Sequence, residues 1–432
     1  MITIKIKNKI EIDGLDTYNE DVIKLKPHQE NAVLNYPDKW SFWWKMRVGK
    51  TPASIRMACS RCARALIICP KSLVYNWETE IEKWKKGDCT FKVLSKEQFK
   101  KNCNILPAYD GIFIDECHLA FGNFKTQCYK AVEWYIKLHN PKVVQLLSGT
   151  PYTSESWSVY SYGKLLGKDW DYWKWYNHFY AKVKMGKKIN QKTKKVEPRI
   201  IPVFKEKMYP ELQVILRRIG TVIDLKDVAD VPDDEDIIET FKLNAEQNRA
   251  IKEAFDPMPI IRYTRQHQIE SGTLKSDGYN ETKFINCDKD KRLVEIAADN
   301  DKLVIVSRYL AQLDKYESLF KGRKIYRISG QEKQTASQIA ALAERENDCI
   351  VLVQGDTCAG YSLQSFSVVV FASMSYSFVN YDQLRYRTKN MEKKTGCTYI
   401  HLITEGDSID RAVYDCVKNK QNFSIELFSN NK

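Results

Sequence analysis

Met46-Arg47-Val48-Gly49-Lys50-Thr51 follows the apolar run Phe42-Trp43-Trp44, and 65 positions beyond Lys50 the run Gly111-Ile112-Phe113-Ile114 ends in Asp115-Glu116-Cys117-His118. Both apolar runs are of the kind that forms a buried strand. A Gly-Lys-Thr turn at the mouth of a helix aims backbone N–H groups and the helix dipole at a phosphate. Its lysine reaches β- and γ-phosphates, and its threonine hydroxyl ligates Mg²⁺. Asp-Glu at the end of a second buried strand offers one carboxylate to the metal and another to an attacking water. Singly, the first element competes with a surface turn and the second with a helix start. A full phosphate-loop pattern would also place glycine where Trp44 stands. Their order and their shared setting after apolar runs point to nucleoside triphosphate hydrolysis.

The chain has 432 residues, more than one ordinary core, so two main domains are expected. An apolar share of 43% excludes a disordered chain, and a net charge of +13 favours a polyanionic partner. Between Lys182 and Lys207 ten cations, among them Lys184, Lys187, Lys188, Lys192, Lys194 and Lys195, face only Glu197 and Glu206. A solvated lysine-rich loop is the competing reading; beside a triphosphate site, contact with a phosphate backbone is preferred. Gly186 and Asn190-Gln191 suggest a hairpin or loop tip there. The twelve cysteines are scattered, and Cys59-Ser-Arg-Cys62 has no second pair to make a zinc site, so reduced thiols are expected. No secretory h-region and no membrane-length apolar stretch is seen, which leads to the expectation of a cytoplasmic location without membrane contact.

Residues 1–24 alternate apolar and charged and read as a short N-terminal β-hairpin turning near Asp13-Gly14. Residues 25–166 alternate strand-like runs (Ala65–Cys69, Gly111–Ile114, Val143–Leu147) with helical ones (Asn76–Trp84, Thr126–Leu138), the signature of βαβ units and a parallel sheet. Residues 167–236 read as a helical and basic insertion ending in an acidic linker over Asp230–Asp236, with Trp170, Trp173 and Trp175 as a packing stripe. Residues 237–432 resume the alternation in the runs Lys302–Val306, Lys324–Ile328, Cys349–Val353, Val368–Phe371 and Tyr399–Ile403. Two α/β sheets joined by the acidic linker are the expected architecture.

From about Leu25 to Lys420 these motifs stand in an order that resembles superfamily-two nucleic-acid motors, most of all the Swi/Snf-like branch in its short bacteriophage form. The resemblance implies two tandem RecA-like lobes. Pro27-His28-Gln29 looks like the opening motif, whose glutamine contacts adenine. Arg47-Val48-Gly49-Lys50-Thr51 is similar to motif I, with Arg47 where many members have glycine. Pro70-Lys71-Ser72-Leu73, followed by Trp77, resembles the backbone-touching motif Ia. Asp115-Glu116-Cys117-His118 looks like motif II, and Ser148-Gly149-Thr150 like the relaying motif III. Ser307-Arg308 resembles motif IV. Thr357 to Leu363 looks like motif V through Gly360, with Ser362 replacing a glycine. Gln383-Leu-Arg385-Tyr-Arg387 looks like motif VI, which carries arginine to the γ-phosphate. The usual spacing assigns Arg387, but the next expected arginine is Asn390, so Arg385 or Lys389 stands in as second choice.

What the resemblance implies is an ATPase requiring Mg²⁺. Lys50 would hold the phosphates, Thr51 and Asp115 the metal, and Glu116 the attacking water. His118, Ser148, Gly149, Thr150 and Gln383 would couple hydrolysis to the nucleic acid. His28, Gln29, Arg47, Val48, Gly49 and Gly360 would line the nucleotide. Pro70, Lys71, Ser307, Arg308 and Thr357 would touch the track, which is expected to be DNA, bound without regard to sequence by a monomer. RNA or branched DNA is an alternative track, and a nucleic-acid-binding protein with a decayed ATPase is the alternative class.

Overall fold

The computed structural model describes residues 24–151, 157–189, 196–275, 282–357, 360–419 and 423–424; of 184–189, 196–201 and 206 the backbone alone is described. The expected N-terminal hairpin lies outside them. Strands β1 (Lys39–Trp44), β2 (Arg64–Cys69), β3 (Thr90–Ser95), β4 (Gly111–Asp115) and β5 (Val143–Leu147) alternate with helices, among them α1 (Pro27–Asn35), α2 (Lys50–Arg61) and α3 (Val74–Trp84). An antiparallel pair, β6 (Tyr180–Ile189) and β7 (Val196–Phe204), follows, and then β8 (Thr221–Ile223). After β9 (Glu235–Phe241) and the small pair β10 (Thr273–Lys275) and β11 (Thr282–Phe284) come β12 (Lys302–Ser307), β13 (Ile325–Ile328), β14 (Cys349–Gln354), β15 (Val368–Phe371) and β16 (Thr398–Thr404).

Two six-stranded, wholly parallel sheets result, ordered β3-β2-β4-β5-β1-β8 and β13-β14-β12-β15-β16-β9. The unbroken apolar runs in the sequence are explained by burial on both sheet faces. Trp43, Leu66, Ile68, Ile112 and Ile114 fill one side of the first sheet; Phe42, Trp44, Ile67, Cys69 and Phe113 fill the other. Val304, Val306, Val351 and Val353 face one core of the second sheet, while Leu303, Ile305, Ile350 and Leu352 face its opposite.

The segment 167–236, expected as insertion and linker, contributes to both sheets. Its β8 pairs with β1, and β9, beginning inside the acidic stretch, pairs along its full length with β16. Asp234 and Asp236 are therefore ion-paired acids at a sheet edge, the first half-buried and the second exposed. Arg385 meets Asp236 at 2.9 Å and Asp234 at 3.6 Å, and Lys389 also pairs with Asp234. Trp170 stacks on the buried Trp175, whereas Trp173 is 63% exposed and outside that packing. Every described cysteine is free, and no described helix is long and apolar enough to cross a membrane.

Candidate active site

The carboxyl ends of β1 and β4 place the two leading motifs side by side. Gly49, at φ 84, turns the chain into α2, whose first residue is Lys50. No side chain caps this helix, so its first N–H groups are left for an anion. The turn is braced from α1. His28 Nε2 donates to the Val48 carbonyl at 2.9 Å, and Gln29 Nε2 donates to that of Gly49 at 3.2 Å. Gln29 Oε1 accepts from Lys26 N at 2.8 Å, so both ends of its amide serve the protein. A β-carbon on Gly49 would meet Gln29 Nε2 at 2.0 Å, a second reason for glycine there.

Lys50 is half-buried, and its ammonium donates to the carbonyls of Trp44 (2.8 Å) and Lys45 (3.4 Å). Burial pushes its pKa down while Glu116 and Asp115 oppose the shift. Burial raises both carboxyls, and Lys50 counters it in each. Asp115 Oδ2 accepts a 2.8 Å hydrogen bond from Trp77 Nε1 of α3, and Oδ1 accepts from Glu116 N at 2.9 Å. Glu116 has φ 45, a left-handed conformation that is costly for a glutamate, at the turn that ends β4.

His118 Nδ1 lies 2.9 Å from Ser148 Oγ, which also accepts from Thr150 N at 3.1 Å. Its 3.4 Å approach to Glu116 is not an ion pair, because burial lowers the imidazole pKa to about 4 and leaves the ring neutral. Gly149 packs on the phosphate loop; a β-carbon there would touch Met46 at 3.4 Å.

The second sheet supplies the opposite wall. Helix Phe378–Arg387 ends with Arg387, which donates to Tyr361 O at 2.9 Å. This helix meets the phosphate loop directly: Lys45 pairs with Asp382 at 3.0 Å and Arg47 Nη2 lies 3.4 Å from Arg387 O. Gly360, at φ 85, packs against the carbonyl of Ser72 in the first lobe. Gln383 is buried on the same helix.

Three expected residues are not brought to their stations. Arg385 points away from the crevice, stacked 4.1 Å from the Tyr399 ring centroid and bound to Asp236. Lys389 is likewise held by Asp234. Ser307, expected to touch nucleic acid, is wholly buried, and its hydroxyl bonds to Gln312 and Tyr309. Its neighbour Arg308 is partly open, lying 3.6 Å over Tyr376. Pro70 is buried, Lys71 exposed and Thr357 half-buried. Lys184, Lys187 and Lys188 belong to β6, whereas Lys192, Lys194 and Lys195 lie outside the described residues.

Trp77 is the residue that motif reading left without a role at this site. The resemblance placed it after motif Ia, without a hydrogen bond to the metal-side carboxylate. Among the described residues no three His, Cys, Asp or Glu side chains form a metal cluster. Asp115 and Thr51 are two hard oxygen donors, which suits Mg²⁺, an ion that takes its other ligands from water and phosphate. Glu116 Oε2 and Thr150 Oγ1 are buried without hydrogen-bond partners, so this wall has polar capacity to spare.

Two parallel-sheet lobes that face one another across a crevice lined by both define a tandem RecA-like architecture. Among solved structures, the helicase domain of Pyrococcus furiosus Hef is similar, with a TM-score of 0.53, at 13% identity, over 92% of this chain and 99% of that one. At that identity the likeness is one of fold. Neither a family profile nor a curated protein sequence matches the chain.

Proposed function

We propose that this chain is an ATP-dependent nucleic-acid motor, a DNA translocase or helicase that steps as its lobes close and reopen around ATP. The observation that carries the reading is the contact of the loop that leads into Lys50 with the helix that bears Arg387, through Lys45–Asp382 and Arg47–Arg387 O. The helicase fold of the Hef neighbour supports a motor in general. The Swi/Snf-like motif order favours DNA as the track.

In this reading Lys50 and the open N–H groups of α2 bind the phosphates, and Glu116 orients water. Asp115 and Thr51 would hold Mg²⁺, which supplies charge neutralisation on the phosphates. Phosphoryl transfer is mostly positioning and charge stabilisation, and an arginine delivered from a second lobe contributes ~10³–10⁵ in rate. Hydrolysis is thereby tied to lobe position. His118 and Ser148 pass the state of the carboxylates to the loop that follows β5.

The test is ATP turnover with single-stranded, duplex and branched DNA and with RNA. Stimulation by DNA, lost in Lys50→Ala, is the expected result. Stimulation by RNA alone would change the track. Background turnover with every nucleic acid would overturn the motor and leave a binding protein.

A further inference from the structure

Arg47 occupies the phosphate loop, yet its side chain leaves that loop for the other lobe. Its Nε lies 3.3 Å from Tyr386 O, and its Nη2 lies 3.4 Å from Arg387 O and 3.5 Å from Tyr361 O. Tyr386 and Arg387 are the last residues of helix Phe378–Arg387. Their carbonyls are among those a helix cannot satisfy internally, and they form the negative end of its dipole. A guanidinium of the first lobe thus caps a helix of the second. One turn earlier Lys45 pairs with Asp382 at 3.0 Å, so the loop grips the same helix twice.

Two costs make this arrangement informative. Arg47 has φ 67, a conformation natural to glycine and strained for arginine. Its half-buried charge also lies near that of Arg387, with no carboxylate at ion-pair distance among the described residues; desolvation first, then Arg387, pushes its pKa down to about 10 against the opposing pull of Glu344. Such strain persists where surrounding contacts over-determine it. Here those contacts are the three carbonyls across the lobe boundary.

We infer that Arg47 is a positioning residue, an interlobe strut that holds the helix bearing Arg387 against the phosphate loop. Separation of the lobes then requires the strut to let go. A loop that changes shape when it takes phosphate would move the strut and, through it, the finger helix.

The decisive variant is Arg47→Gly, which relieves the backbone strain and so keeps a foldable loop, with Arg47→Lys as the conservative rescue. Interlobe distance is read by fluorescence energy transfer between bio-orthogonal labels at the exposed Leu138 and Leu319 of nucleotide-free protein. One compact population is expected in the wild type and a longer, broader distribution in Arg47→Gly, partly restored by Arg47→Lys. The kinetic half of the test rests on the motor reading: kcat should fall about ten-fold or more with KM little changed, as loss of hydrogen bonds to a charged group implies. An unchanged distance distribution in Arg47→Gly overturns the strut, as does a rise in KM at constant kcat, which would make Arg47 a nucleotide ligand. A wild type without ATPase activity would refute the motor and leave the distance measurement to decide the strut.

Discussion

Trp77→Phe tests how the metal-side carboxylate is held. The substitution keeps an aromatic ring inside the first core and removes one N–H, the donor that reaches Asp115 Oδ2 at 2.8 Å. Both partners are buried, so water cannot freely replace that donor. A hydrogen bond to a charged group contributes about 1.5–3 kcal/mol. If all of it serves the orientation of Asp115, turnover falls by roughly 10- to 100-fold, because about 1.4 kcal/mol corresponds to a factor of ten. Oδ1 stays tied to Glu116 N, so the carboxylate swings about that bond and does not leave the site. The assay is steady-state ATP turnover across Mg²⁺ concentrations, with thermal unfolding as the check on folding. A lower kcat and a higher half-saturating Mg²⁺ concentration are expected. A folded variant with unaltered kcat and Mg²⁺ dependence would refute the reasoning.

Arg387→Ala should reduce turnover by at least ~10³ with folding intact, as for loss of a transition-state arginine. Arg385→Ala, by contrast, should lower the stability of the second lobe in chemical unfolding by about 1.5 kcal/mol, since it removes charged hydrogen bonds to Asp236 while Lys418 and Lys389 stay on Asp236 and Asp234. Replacing Lys184, Lys187, Lys188, Lys192, Lys194 and Lys195 together by alanine should flatten the log–log salt dependence of DNA binding by about 0.7–0.9 for each phosphate no longer neutralised; an unchanged slope returns the segment to a solvated loop. His401 lies flat on Phe371, and burial, opposed by Asp236, lowers its pKa to about 4. A depressed histidine protonates first in the unfolded chain, so its stabilisation is complete above about pH 6.5 and is lost as pH falls. The loss should be on the order of 2 kcal/mol by pH 5, and His401→Gln should show a flatter acid limb in unfolding experiments.

The strands were legible because a parallel sheet buried on both faces demands unbroken apolar runs, and Val143–Leu147 or Cys349–Val353 can be little else. Gly49, Lys50, Asp115 and Glu116 were legible because their spacing to those strands is local. What could not be seen depends on partners far apart in the chain. Arg385 and Asp236 are 149 positions apart, and only the pairing of β9 with β16 brings them together. Thr221–Ile223 is too short to carry a period and becomes a strand through its neighbour β1. Trp77 and Ser307 sit where the motifs put them, but the directions of their side chains follow from packing, which spacing does not encode.

The two edge strands also fix where the molecule can bend. β8 is zipped to one lobe and β9 to the other, which leaves only residues 224–234 as a tether. Part of that tether is already anchored: Leu225 is buried, and Val228 and Val231 pack on the first core. Fully drawn out, eleven residues reach at most about 40 Å. Any swing of one lobe must therefore be a rotation about this short pivot, like a door on a single hinge pin, with the widest travel on the far side.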